Sequence, residues 1–180
     1  MLFRSIMLII IKYIAKLLKA LSSEASPGQI AGGFVFGMII GLTPVFSFHN
    51  LVVVILILVI KVNIGMAILA FFIFSGIAYL ADPAFHNLGT WLLENEAYQS
   101  LWISMYNNEW WAMTRFYNTV VIGSFVSAVI LSLPMFPGVI VFVKQYRKHI
   151  HERVQKWKVI KALKGSKLYS IYETVSRVRG

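Results

Sequence analysis

The 180-residue chain is 58% apolar and 13% charged, has no cysteine, and has a mean hydropathy of +0.73. Soluble domains run nearer about 45–50% apolar and about 25% charged, so the polar residues are too few to clothe a water-facing surface. The same numbers exclude disorder, and the lack of cysteine excludes disulfides and thiolate chemistry.

The formal net charge of +10 is unevenly placed. Residues 1–24 are basic, with Arg4, Lys12, Lys16 and Lys19 against Glu24. Residues 82–115 are acidic, with Asp82, Glu94, Glu96 and Glu109 against Arg115. Residues 144–180 carry eleven Lys and Arg against Glu152 and Glu173. Between the blocks, 25–60, 62–81 and 116–143 contain no Asp, Glu, Lys or Arg, and Lys61 stands alone. A membrane-crossing helix needs about 20 mainly apolar residues. Cationic segments stay on the cytoplasmic side. The expected class is therefore an all-α integral membrane protein of the bacterial inner membrane, multi-pass, with both termini cytoplasmic and the acidic block outside.

In chain order, residues 1–24 form an amphipathic interfacial helix, because Arg4, Lys12, Lys16 and Lys19 share one face among Leu and Ile. The membrane domain, 25–143, begins with a helical hairpin over 26–60, its arms near 27–43 and 46–60. The hairpin either crosses twice or dips in and returns. Ser26-Pro27-Gly28-Gln29 is a capping box that starts the first arm. Gly33, Gly37 and Gly41 then recur at spacing four, a helix-packing face whose partner is either the second arm or another copy of the chain, in a homo-oligomer. Thr43-Pro-Val-Phe-Ser-Phe-His49-Asn50 is the turn, broken by Pro44. Thr43, Pro44, Ser47, His49 and Asn50, met by Asp82, form the candidate substrate-binding set. His49 is the only titratable group of the stretch, and an ionisable residue inside a membrane is a functional candidate. At the outer headgroup level it would be an ordinary residue, with Asn50 capping the second arm.

These residues resemble the domain of unknown function 2062 family of small bacterial inner-membrane proteins. The resemblance rests on Ser26-Pro-x-x-Ile-Ala-x-Gly-Phe-x-x-Gly-x-x-Ile-Gly-x-x-Pro44, His49, an apolar arm ending near Asn63, and Asp82-Pro83. It covers roughly residues 10–145. Ser47 stands where the family usually has Gly, and Asp82-Pro83 where it usually has Asn-Pro. The aromatic external segment and basic tail resemble a subgroup from bacteria with outer membranes, encoded beside a large envelope protein, which implies a protein partner. Relatives fused to glycosyltransferase domains imply lipid-linked substrates. The resemblance implies a fold and no reaction.

One crossing follows at 62–81. The external segment 82–115 holds Trp91, Tyr98, Trp102 and Met105 at helical spacing, read as short surface helices with indoles at headgroup level. The last crossing, 116–143, is expected to break near its inner end at Pro134, Pro137 and Gly138. Leu133-Pro-Met-Phe136 looks like Thr43-Pro-Val-Phe46, too short a likeness to establish an inverted repeat. The cytoplasmic tail, 144–180, is helical in pattern and basic, which points to the bilayer and its anionic lipids as partners. Its position beside a membrane helix explains the charge without nucleic acid. His149 and His151 are two apart, so their rings diverge on a helix; no metal is expected. With no nucleophile–base pair or phosphate loop, neither an enzyme nor a cofactor is expected. The two functions left are a small transporter or lipid-handling protein of the cell envelope and a non-catalytic anchor or assembly partner of an envelope complex.

Overall fold

The computed structural model describes residues 25–150, and the described part is all-helical. The expected N-terminal interfacial helix, 1–24, and most of the tail lie outside those residues. Helix α1 spans Pro27–Leu42, α2 Phe48–Val59 and α3 Ile64–Glu94. A 3-10 turn at Glu96–Tyr98 leads to two short helices, α4 at Gln99–Tyr106 and α5 at Glu109–Ala112. Helix α6 is Thr119–Gln145, continued by a π turn at Tyr146–Ile150. By length and composition α3 and α6 are apolar enough to cross a membrane, whereas α1 and α2 are short apolar helices.

Helix α1 starts as its sequence dictates. The Ser26 hydroxyl accepts from the Gln29 amide at 3.2 Å, and the Gln29 side chain accepts from the Ser26 amide at 2.7 Å. Pro27 at the first position forfeits no helix bond. The glycine ladder then packs inside the chain, but its partner is α3 rather than the expected second arm. A Cβ at Gly33 would overlap the Asn63 carbonyl oxygen, one at Gly37 the Ala67 carbonyl oxygen, and one at Gly41 would come within 2.7 Å of the Phe71 carbonyl oxygen. The ascending order on both helices makes α1 and α3 parallel. Only a missing side chain lets two helix backbones approach so closely.

A second crossing of this kind, which the sequence reading missed, joins α3 to α6. A Cβ at Gly89 would overlap the Thr119 carbonyl oxygen, and one at Gly123 the Phe85 carbonyl oxygen. Descending order makes α3 and α6 antiparallel. Helices α1, α3 and α6 pack mutually, and α2 lies mainly along α1. One core cluster, with Ile30, Met66, Leu69, Val143 and Tyr146, closes the end where α1 and α3 begin; another holds Val35, Met38, Leu42, Val53, Phe85 and Ala128.

Two expected boundaries are corrected. Helix α3 does not stop at residue 81 but runs through Asp82-Pro83 to Glu94, and α6 runs unbroken through Pro134, Pro137 and Gly138. A proline inside a helix frees the carbonyl four residues back and costs about 3 kcal/mol. Here the prolines and the carbonyl-bearing residues Tyr79, Ile130 and Leu133 are all exposed, so the rings meet no packed neighbour from another helix. Past Pro83, packing of Phe85 and Gly89 against α6 offsets the cost. Thr43-Pro44 lies in a turn and Leu133-Pro134 within a helix, so their likeness in sequence is not a likeness in structure.

Backbone contact at one glycine and open space at another give a paired expectation. Gly37→Ala should lower stability by about 2–3 kcal/mol, the upper part of the overpacking range, because the clash is with main chain. Gly138→Ala, with nothing within 4 Å of its Cβ position, should be neutral or stabilising by up to about 1 kcal/mol. Thermal unfolding of both variants in detergent measures this.

Candidate functional site

The hairpin turn, residues 43–47, joins α1 to α2 at the end of α1 remote from its cap. Thr43 and Asn50 are 4% and 3% exposed, whereas Phe46 at the tip is 97% exposed. Pro44 cannot continue the helix, so the chain leaves it at Thr43 in an extended conformation. Thr43 hydroxyl oxygen lies 2.8 Å from both the Ile39 carbonyl oxygen and Asn50 Oδ1, so one proton serves two acceptors. The Asn50 amide nitrogen donates to the Pro44 carbonyl at 3.0 Å and reaches the Val45 carbonyl at 3.5 Å. Asn50 thus ties the turn shut from within the first turn of α2. It does not cap that helix: the cap residue is Ser47, which makes no side-chain cap bond.

His49 is half-buried beside this lock. Its Nε2 shares a hydrogen bond with the Ser47 hydroxyl at 2.9 Å, and its ring lies 4.8 Å from that of Phe125 on α6. The structure therefore gathers Thr43, Pro44, Ser47, His49 and Asn50 into one turn. Asp82, exposed on α3, takes no part in those hydrogen bonds. Gly33, Gly37 and Gly41 belong to the packing below the turn, and Pro134, Pro137 and Gly138 lie on an exposed face of α6.

Three residues near this level escaped the sequence reading. Phe125 was one apolar residue among many, and nothing in the sequence marks it as the partner of His49. His86 shares a 2.7 Å hydrogen bond with Thr119, tying α3 to α6 beside their glycine crossing; its place four residues after Asp82 was the available signal. Ser75, next to Gly41, has the one buried side-chain polar atom without a hydrogen-bond partner among the described residues.

The segment between α3 and α6 is a folded cap. Gln99 and Trp102 donate side-chain N–H groups to the Leu93 and Leu92 carbonyls, at 3.2 and 2.9 Å. These are among the last four carbonyls of α3, which have no partner within the helix. The Trp102 ring also stacks on Phe116 at 5.9 Å. Trp102 is thus turned inward rather than outward with Trp91 and Tyr98, which remain exposed. Trp110 and Trp111 are exposed on α5. Arg115, with φ of 57°, turns the chain toward α6.

Among the described residues no cluster of His, Asp or Glu is arranged to hold a metal ion. The family profile described as "Uncharacterized protein conserved in bacteria (DUF2062)" matches residues 12–152. An uncharacterized protein of Treponema pallidum (strain Nichols) is 22% identical over 144 residues, covering 80% of this chain and 89% of that protein. No solved structure matches.

If the turn is held as described, Asn50→Leu should destabilise the protein by about 2–3 kcal/mol, since the Pro44 and Val45 carbonyls lose their donor. His49→Phe keeps the ring packing on Phe125 and should cost less than about 1 kcal/mol. Equal effects in thermal unfolding would contradict this geometry.

Proposed function

The chain belongs to the DUF2062 family of proteins conserved in bacteria, and we propose that it is an integral inner-membrane protein that handles a lipid or another amphiphile at the outward end of its hairpin. The observation that carries the membrane part is a belt of exposed apolar side chains between two ends of opposite charge. Leu58 and Val59 on α2 are 74% and 75% exposed, and Ile68, Phe72, Ile77 and Leu80 on α3 are exposed as well. The most apolar 18-residue windows of α3 and α6 are only 22% and 11% buried, far from what core helices of a soluble domain require.

The dimensions agree. Lys61 and Asp82 are 21 residues apart along a nearly continuous helix, about 31 Å at 1.5 Å per residue and close to a hydrocarbon thickness of about 30 Å. Among the described residues all four carboxylates, Asp82, Glu94, Glu96 and Glu109, lie at or beyond the far end of that span, and Lys61, Lys144, Arg147 and Lys148 at the near end. The positive-inside rule then puts both termini in the cytoplasm. Helix α1 has 16 residues, about 24 Å, so the hairpin reaches the outer boundary through its turn alone.

At that boundary the exposed Pro44-Val45-Phe46 tip stands beside a half-buried imidazole. This is an apolar contact surface next to a group that can take or give a proton. The second reading, an anchor of an envelope complex, is favoured by the cap, whose exposed Trp91, Trp110 and Trp111 sit on a scaffold fixed by Trp102.

The two readings part under substitution. His49→Ala and Pro44→Ala should abolish complementation of a null strain in an envelope-integrity assay and slow labelled-lipid flux in proteoliposomes by tenfold or more. Trp110→Ala with Trp111→Ala should leave flux within twofold. The reverse pattern supports the anchor. Single cysteines, absent from the native chain, test the placement: one at Phe46 should react with an impermeant thiol reagent added outside spheroplasts, and one at Val53 should not.

A further inference from the structure

The start of α1, the end of α2 and the end of α6 meet at one end of the bundle. The Asn63 amide donates to the Gln29 carbonyl at 2.9 Å, which sets Lys61 beside the first turn of α1. The Arg147 guanidinium donates to the Ala25 carbonyl at 2.8 Å, immediately before the cap residue Ser26. Val143 and Tyr146 are buried in the cluster with Ile30 and Met66, while Lys144 and Lys148 are exposed. Cations from two separated stretches of sequence, Lys61 and Lys144–Lys148, thus lie at one end of the bundle around the start of α1.

We propose that this basic end, with Lys61, Lys144 and Lys148 around the Arg147-tethered start of α1, binds the phosphate headgroup of an anionic diacyl phospholipid. The inference rests on the membrane reading above and adds to it a place and a lipid class. Three features favour it. First, among the described residues no carboxylate neutralises the lysines: Asp82, the nearest along α3, is 19 residues from Asn63, about 28 Å. Second, α1 points its N-terminus here, adding the positive end of its dipole. The capping box engages the Ser26 and Gln29 amides, so the helix supplies mainly field and the ammonium groups supply contacts. Third, exposed apolar side chains flank the cations in sequence: Val59, Ile60 and Ile64 beside Lys61, and Val141 and Phe142 before Lys144. A soluble polyanion would satisfy the lysines and leave that surface bare, whereas a diacyl lipid covers both.

Arg147 is a positioning residue. The π turn at Tyr146–Ile150 continues α6, with Tyr146 in the core and Arg147 against the residue before the α1 cap. The site is therefore held by the bundle itself and does not depend on the tail lysines.

The test uses the full chain, purified in detergent and exposed to equimolar phosphatidylglycerol and phosphatidylcholine, with retained lipid counted by native mass spectrometry. Each lysine near a charged surface contributes about fivefold in binding. The wild type should retain phosphatidylglycerol over phosphatidylcholine by on the order of 100-fold. Lys61→Gln, Lys144→Gln and Lys148→Gln together should bring the ratio to within twofold of unity, each alone should lower it about fivefold, and the corresponding arginine variants should preserve it. Glutamine at the tail lysines Lys156, Lys158, Lys161, Lys164 and Lys167 should leave it within twofold of wild type. No preference in the wild type, or a preference lost in the tail variant and kept in the bundle-end variant, overturns the proposal. Failure of the membrane reading looks different: the protein would then leave lysed cells without detergent. A chain that stays in the membrane fraction and shows no lipid preference sinks this inference alone.

Discussion

The main-chain contact between α1 and α3 is the constraint on which the rest of the structure depends. Gly33, Gly37 and Gly41 remove the side chains that would otherwise hold the two helices apart, and the backbone of α3 from Asn63 to Ser75 fills the space. In the bilayer setting proposed above, helix association gains nothing from expelling water, so close van der Waals packing supplies the energy. That contact makes α1 the inner helix, with Ile30–Gly33, Val35, Gly37–Ile39, Gly41 and Leu42 buried against its neighbours. It also forces α1 and α3 to run parallel, which requires a return strut between them. Helix α2 is that strut. It is peripheral because it connects two helices whose mutual face is already occupied.

The hairpin turn follows from the same arrangement. A chain that stops a helix in low dielectric exposes carbonyls that water does not satisfy. Asn50 answers that need for Pro44 and Val45, and the Thr43 hydroxyl ties the two arms together. The two most deeply buried polar residues of the turn thus serve its closure, and His49 stands apart as its one titratable side chain. Its partners, Ser47 and Phe125, hold the ring in place. The split gives the turn a structural inner face and a chemically open outer one.

How much was legible in the sequence depended on whether a signal was local. The capping box, the glycine spacing and the Thr43-Pro44 stop are each written within a few residues, and the structure has the cap, the close packing and the turn where they point. The partner of the glycine ladder was not legible, because a small face says that something approaches and not what. The proline positions misled for a related reason. Proline disfavours a helix interior through its lost N–H and its clash with the carbonyl four residues back, yet the helices continue through Pro83, Pro134 and Pro137, because whether packing elsewhere carries that cost is decided by the whole bundle. Phe125 and Trp102 were missed because an aromatic residue in an aromatic or apolar run carries no mark of its partner.

The length of α3 has a consequence for the outward end. A helix of 31 residues is about 46 Å long, some 16 Å more than a hydrocarbon layer requires. The excess lies beyond Asp82, where Phe85 and Gly89 engage α6 and Gln99 and Trp102 satisfy the last carbonyls. The two long helices are therefore fastened to each other above the level at which α1 ends. Phe125, which holds His49, is two residues from Gly123, and Gly123 abuts Phe85. That chain of contacts brings His49 to the level of Asp82 and His86. In the orientation proposed above, this level is the outer boundary of the hydrocarbon. An amphiphile entering there would meet the exposed tip, the imidazole and the base of the cap together, and the fastening of α3 to α6 would keep that meeting place fixed.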